Sequence, residues 1–258
     1  MLLAIDIGNT HITIGLWNGR SWQEHWRLAT VREKTADEYG VLLLTLLREA
    51  NLATAVSGVI LCSVVPPLTS TFTQMFSRYL NQTAVQVGLQ MDLGIQVNTD
   101  NPAQVGMDRL VNAAAAYHRF VGPSIILDMG TATKFDVVTA NGEFIGGAIA
   151  PGIQLAADAL YQRAAQLSQV GLQAPPQVIG RNTIHAMQSG LVFGYVSLIE
   201  RMIERIKAEH PDRDQPIPVL GTGGLISLIT AHTAVIDTVD PWLTLSGLCQ
   251  IYDRNKHG

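Results

Sequence analysis

The feature that most constrains the fold is a repeat half a chain long. LLAIDIGNTHITIGLW (2–17) and SIILDMGTATKFDVV (124–138) share one design: an apolar run, an Asp-x-Gly interruption with small hydroxyl residues, and a second apolar run. Each continues into an Asn-Gly pair, Asn18-Gly19 and Asn141-Gly142, which is a strong hairpin signal, and then into a third strand-like segment. Asp6 corresponds to Asp128 and Gly8 to Gly130, with loops differing by one residue. A repeat on this scale predicts a duplicated α/β architecture, two domains each opening on a three-stranded meander followed by helices. The boundary is placed between 1–118 and 119–258. The two halves are expected to meet across a central cleft with their Asp-x-Gly turns facing each other.

The intervening sequence fits this plan. Residues 36–50 have helical length and spacing, with Thr35 or Asp37 as capping candidates. SGVILCSVVPP (57–67) reads as a buried strand stopped by two prolines, followed by a helix over 68–80 and a short strand over 84–88. An alanine-rich helix is expected over 103–120. After the second meander come helices near 153–167 and 183–208, a strand in PIPVLGTGG (216–224), another helix, a short strand near 234–237 and a last helix from about 243.

Composition narrows the function classes. Hydrophobic residues make up 47% and charged residues 15% of 258, so a large core is available. The formal net charge is −4 with no dense basic stretch, which argues against nucleic acid as a partner. Asp6 interrupts the N-terminal apolar run and no basic segment precedes it, so neither a signal peptide nor a membrane span is read there. Cys62 and Cys249 stand far apart without ligand spacing. A cytoplasmic, soluble protein is expected.

A glycine after the first strand allows a tight turn and close approach of a large anion. Backbone N–H groups and the hydroxyls of Thr10 and Thr13 can donate to phosphate oxygens. Asp6 would repel a phosphate, so its expected partner is a cation, held directly or through water. The bland alternative is an ordinary hairpin with a hydrogen-bonded aspartate. A second Asp-x-Gly turn, and GTGG (221–224) as a third glycine-rich turn after a strand, weigh against it. Neither a Walker loop nor the spaced-glycine dinucleotide pattern fits.

Together, DIGNT (6–10), DMGTAT (128–133) and GTGG resemble the phosphate and adenosine motifs of the acetate-and-sugar-kinase, heat-shock-chaperone and actin superfamily. The resemblance implies duplicated ribonuclease-H-like, actin-like ATPase domains with mixed sheets flanked by helices. Within that group, DIGNT at the N-terminus, NPAQVGMDRLVNAAAA (101–116), DMGTATKFDVV (128–138), GGAIAPG (146–152), IGRNTIHAMQSG (179–190) and LTLSGL (243–248) resemble type III pantothenate kinase. GMDR (106–109) is the most specific of these segments.

That resemblance implies ATP-dependent phosphorylation of pantothenate to 4'-phosphopantothenate, the first step towards coenzyme A. By match of position, Asp6, Ile7, Gly8, Asn9, Thr10, His11, Ile12 and Thr13 form the ATP-phosphate segment, and Thr131 adds a further ATP contact. Magnesium would accompany the nucleotide near Asp6. Asp128 matches the aspartate that binds a monovalent cation, potassium or ammonium. Asp108 matches the catalytic base, and a helix N-terminus favours a carboxylate there. Gly106, Met107, Asp108, Arg109 and Thr183 match the pantothenate-binding positions. A homodimer is also implied.

Some readings stay open from the residues alone. Arg109 suits a carboxylate or amide as a forked donor and equally suits a salt bridge. Thr183 is either a substrate contact or the N-cap of the helix that follows. Thr99 stands where the family usually has a tyrosine, so an aromatic wall of the pocket is expected to be missing. Lys134 stands where the family usually has threonine. It faces either solvent or the cleft, and in the cleft it would lessen the need for potassium. His11, His185, His210, His232 and His257 show no metal spacing, Trp17, Trp22 and Trp26 are read as packing, and 253–258 as a solvated end. The competing functions are a regulatory or accessory protein on the same scaffold, and a kinase of another small hydroxyl substrate.

Overall fold

A computed structural model of the chain describes residues 1–52, 55–163 and 170–256. The strands in chain order are β1 (Leu2–Ile7), β2 (His11–Trp17), β3 (Trp22–Ala29), β4 (Gly58–Ser63), β5 (Ala84–Gln86), β6 (Gln96–Val97), β7 (Ser124–Met129), β8 (Ala132–Val138), β9 (Glu143–Pro151), β10 (Val219–Thr222) and β11 (Thr238–Val239). The helices are α1 (Ala36–Glu49), α2 (Pro66–Leu80), α3 (Met107–Phe120), α4 (Ile153–Arg163), α5 (Thr183–Glu209), α6 (Ile226–Thr230) and α7 (Leu243–Asn255). The expected helix beyond residue 163, and His257 in the expected tail, lie outside the described residues.

Two units emerge. The first takes Met1–Ile95, Asp100–Ala115 and Leu243–Gly258, and the second Gln96–Thr99 and Ala116–Trp242. The sequence reading divides the chain once, at 118/119. The units instead exchange segments, because the C-terminal helix returns to the first one.

In the first unit the sheet order is β3-β2-β1-β4-β5. The meander β1–β2–β3 is antiparallel, whereas β4 runs parallel to β1 and β5 parallel to β4. Alternation decides which residues meet which layer. Leu3, Ile5, Ile7, Ile12 and Ile14 point to one face and pack with Tyr39, Leu43 and Leu47 of α1 and Phe72, Met75 and Phe76 of α2. The opposite face accepts α7, and its small residues make the room. A Cβ on Gly15 would press on Leu245 at 2.8 Å, and one on Gly58 would strike the Tyr252 hydroxyl. The same helix meets α3 closely, since Gly247 lies against Val111 and Ala115. The alanine-rich stretch of α3 is thus packed in part against α7.

Local signals explain the helix starts. Thr35 caps α1 in a full capping box with Glu38. Pro66 and Pro67 do not merely stop β4: they open α2 at its first positions, where a missing N–H costs nothing. The expected solvated tail is helical through Asn255, whose Nδ2 donates to the Asp92 carbonyl at 2.9 Å, while Arg254 pairs with the Asp92 carboxylate at 3.1 Å.

The second unit repeats the scheme with sheet order β11-β10-β7-β8-β9-β6. Again a meander, β7–β8–β9, is antiparallel and the next strand, β10, runs parallel to β7. Ile125, Leu127 and Phe135 pack with Leu191, Tyr195, Ile199 and Ile203 of α5. Both units are therefore mixed sheets with flanking helices, each led by the same meander. This is the duplicated α/β architecture that the repeat predicts, with the mixed sheets and flanking helices that the resemblance implies. Among the described residues no helix is long and apolar enough to cross a membrane.

Candidate active site

The first Asp-x-Gly turn joins β1 to β2. Asp6 is the last residue but one of β1, half-buried and cross-paired with Thr13. The Gly8 N–H donates to the His11 carbonyl at 3.0 Å, and a Cβ on Gly8 would crowd that carbonyl at 3.1 Å. Ile7 and Ile12 are fully buried in the core, so only their backbone is left to serve a ligand. Asn9, Thr10 and His11 are exposed at the tip. Partial burial, and then the charge of Arg27, hold the His11 imidazole below its ordinary pKa.

Three residues that the sequence reading passed over brace this turn. The Thr30 hydroxyl donates to the Gly8 carbonyl at 2.7 Å and its N–H to the Thr10 carbonyl at 3.0 Å. Arg32 reaches the Asn9 side-chain oxygen at 3.0 Å, and Arg27 lies near enough to act on His11. The turn is thus lined with cationic groups, as an anion site should be. Only the strand register brings 27–32 beside 8–11, so no local motif announces them.

Magnesium fits here by the chemistry of the donor set. It needs one or two carboxylates and completes its shell with phosphate oxygens and water. Asp6 supplies one carboxylate beside a glycine turn, and no group of three or more His, Cys, Asp or Glu among the described residues offers a dedicated protein cage.

Asp108 stands in the first turn of α3, preceded by a short 3₁₀ turn over Pro102–Gln104. Its carboxylate folds back over Gly106, with Oδ1 2.5 Å from where a Cβ would be, and Val64 closes the same spot from β4's end. Gly106 also accepts from the Arg109 N–H at 3.0 Å. Gly106, Met107, Asp108 and Arg109 are all half-buried.

In the second unit, Asp128 and Lys134 are direct cross-strand partners on β7 and β8. Lys134 Nζ lies 2.7 Å from Asp128 Oδ2, with both side chains mostly buried at 15% and 14% exposure. Of the two orientations open for Lys134, the structure has the one turned onto the aspartate. The other oxygen, Oδ1, faces glycine: a Cβ on Gly223 would come within 2.7 Å of it and one on Gly130 within 3.6 Å. A potassium or ammonium ion added here would share its carboxylate with an ammonium already present. Two unit charges 4 Å apart near a protein surface repel by about 4 kcal/mol, so the residues do not fit a second cation. Thr131 is exposed in the β7–β8 turn, and Gly152 packs against its carbonyl.

Thr183 begins α5, but it does not cap it. Asn182 is the N-cap, its side chain accepting from the His185 N–H at 2.8 Å. The hydroxyl of Thr183 is exposed. Thr99 is half-buried, with its hydroxyl oxygen unbonded.

Over essentially its whole length the chain is similar to solved structures of low identity. One is the activator of 2-hydroxyisocaproyl-CoA dehydratase from Clostridium difficile with bound ADPNP, at 12% identity and TM-score 0.52, covering 100% of this chain and 97% of that one. Another is component A of (R)-2-hydroxyglutaryl-CoA dehydratase from Acidaminococcus fermentans, at 12% identity and TM-score 0.53, covering 96% and 94%. These likenesses concern the fold alone. At higher identity stand the type III pantothenate kinases of Roseiflexus castenholzii, 48% identical over 99% of this chain and 100% of that one, and of Moorella thermoacetica, 45% identical over 99% and 100%. The family model for type III pantothenate kinase matches residues 2–205, and the chain belongs to that family.

Proposed function

We propose that this chain transfers the γ-phosphoryl group of ATP to the primary hydroxyl of pantothenate, the first step of coenzyme A biosynthesis. Beyond family membership, the observation that carries the reading is the Asp108 carboxylate folded over Gly106 at the start of α3. Gly106 itself puts no side chain in front of that carboxylate oxygen.

Phosphoryl transfer is chiefly positioning and charge stabilisation. The substrate hydroxyl oxygen forms the new bond to the γ-phosphorus, the bond to the β–γ bridging oxygen breaks, and ADP leaves. Asp108 takes the hydroxyl proton as that oxygen loses it. The backbone of residues 7–12 and the hydroxyls of Thr10 and Thr13 donate to phosphate oxygens, with Arg32 steadying the tip through Asn9. Thr131 adds a hydroxyl to ATP, and Arg109 and Thr183 hold pantothenate. Magnesium, held by Asp6 directly or through water, neutralises phosphate charge when bound. Ile149, Val178 and Ile179 are exposed at 63%, 66% and 81%, which supports a homodimer built on the second unit. A cytoplasmic location follows from dependence on ATP.

ADP release from purified protein with ATP and magnesium, with and without pantothenate, tests the reading. Pantothenate-dependent turnover that falls by ~10²–10⁴-fold in Asp108→Asn is expected, the usual weight of general-base help. Folded protein that binds ATP yet shows no pantothenate-dependent turnover would turn the assignment to another small hydroxyl substrate, or to a regulatory role on the same scaffold.

A further inference from the structure

We infer that Lys134 is a tethered monovalent cation. Its ammonium holds the place at Asp128 that the family resemblance gives to potassium or ammonium from solution, so nucleotide binding by this chain does not depend on which monovalent ion surrounds it. The inference deepens the proposed function and rests on its nucleotide-binding part.

The register makes the contact. Directly opposed residues of an antiparallel pair share a face, and Asp128 opposes Lys134. The long side chain must therefore fold back for Nζ to lie 2.7 Å from Oδ2. With both groups mostly removed from water, neither charge tolerates loss of the other.

The repeat supplies an internal control. In the first unit the aspartate at the matching place, Asp6, opposes Thr13. The meander itself thus folds with a threonine opposite its aspartate, and nothing in strand pairing demands a lysine. Lys134 already holds Oδ2 of Asp128, at 2.7 Å. An alkylammonium is chemically a substituted ammonium ion, so the tether replaces the ion in kind.

The test reads binding, not turnover. Affinity of the full chain for magnesium–AMPPNP is measured by calorimetry in potassium, sodium and tetramethylammonium chloride at equal ionic strength. The expected constants agree within about twofold. Lys134→Thr is expected to lose about tenfold or more in tetramethylammonium, and to recover in potassium or ammonium chloride. Thallium(I), titrated as a potassium surrogate and followed by thallium NMR, should bind saturably to Lys134→Thr and not to the unaltered chain.

Three results overturn the inference: potassium tightening AMPPNP binding by about tenfold in the unaltered chain, saturable thallium binding to that chain, or a folded Lys134→Thr indifferent to the salt. Should that variant not fold, the salt series and the thallium titration of the unaltered chain still decide. No AMPPNP binding in any salt would instead sink the kinase reading, and thallium reports on Asp128 apart from it.

Discussion

The Asp108 carboxylate occupies the space in front of Gly106: its Oδ1 lies 2.5 Å from where a Cβ on that glycine would stand. The obstructing atom is the end of a side chain, which can swing away at little cost to the fold. Gly106→Ala is therefore expected to keep its melting temperature within a few degrees, a loss below about 1 kcal/mol, while displacing the carboxylate. A misplacement on this scale costs about 10²-fold in rate. Steady-state kinetics should show that loss in kcat with the KM for ATP little changed. A drop in melting temperature equal to that of a core mutant would show that Gly106 serves packing instead.

Asn182 and Thr183 separate cap from ligand in adjacent residues. Because Asn182 accepts from the His185 N–H, Asn182→Ala should cost about 1 kcal/mol of stability. Thr183→Ala removes an exposed hydroxyl that caps nothing, so its stability should change by less than about 0.5 kcal/mol. Its KM for pantothenate should rise by several-fold to about tenfold, the worth of one hydrogen bond. Denaturation and kinetics on the two variants give opposite patterns if the assignment holds. An unchanged KM in Thr183→Ala would remove Thr183 from the pocket.

These contrasts also show what local sequence can carry. Asn18-Gly19 and Asn141-Gly142 announced both hairpins because a turn needs positive φ there, and Gly19 and Gly142 have φ of 96° and 76°. Thr35 announced α1 because its capping box is complete within four residues. Thr183 was a cap candidate by composition, yet the cap fell one residue earlier on Asn182, a distinction that only backbone geometry makes. Lys134 could be placed on a strand face but not turned towards Asp128, since its partner lies across the sheet. Arg32 and the return of α7 to the first unit depend on contacts far apart in sequence, which no motif encodes.

Glu38 makes α1 sensitive to acid. The Thr35 N–H, then the Thr35 hydroxyl, hold its carboxyl below the ordinary value of 4.5. A lowered carboxyl pKa means that the unfolded chain binds the proton first. The contribution is therefore complete above pH 4.5 and is lost as pH falls through the lower folded value. Glu38→Gln should narrow the stability gap to the unaltered chain as the solution is taken from neutral pH into that acid range. Thr35→Ala should cost about 1 kcal/mol at neutral pH. Urea titrations at several pH values measure both, and a gap that widens towards acid would contradict the capping box as the cause.

Gly223 presents the opposite case to Gly106. Its φ is 94°, and a Cβ there would meet the Met129 carbonyl oxygen at 2.5 Å as well as Asp128 Oδ1 at 2.7 Å. The carbonyl belongs to β7 and cannot swing aside, and an L-residue in the left-handed region adds roughly 1–2 kcal/mol by itself. With overpacking of about 1–3 kcal/mol, Gly223→Ala is expected to lower stability by about 2–5 kcal/mol. Relief by movement of the β10–α6 turn would carry the glycine wall away from Asp128, so nucleotide affinity should fall with stability. Thermal denaturation with and without magnesium–AMPPNP measures both. A variant as stable as the unaltered chain would mean that this turn is free to relax, and that Asp128 is positioned by Lys134 and the strand pair alone.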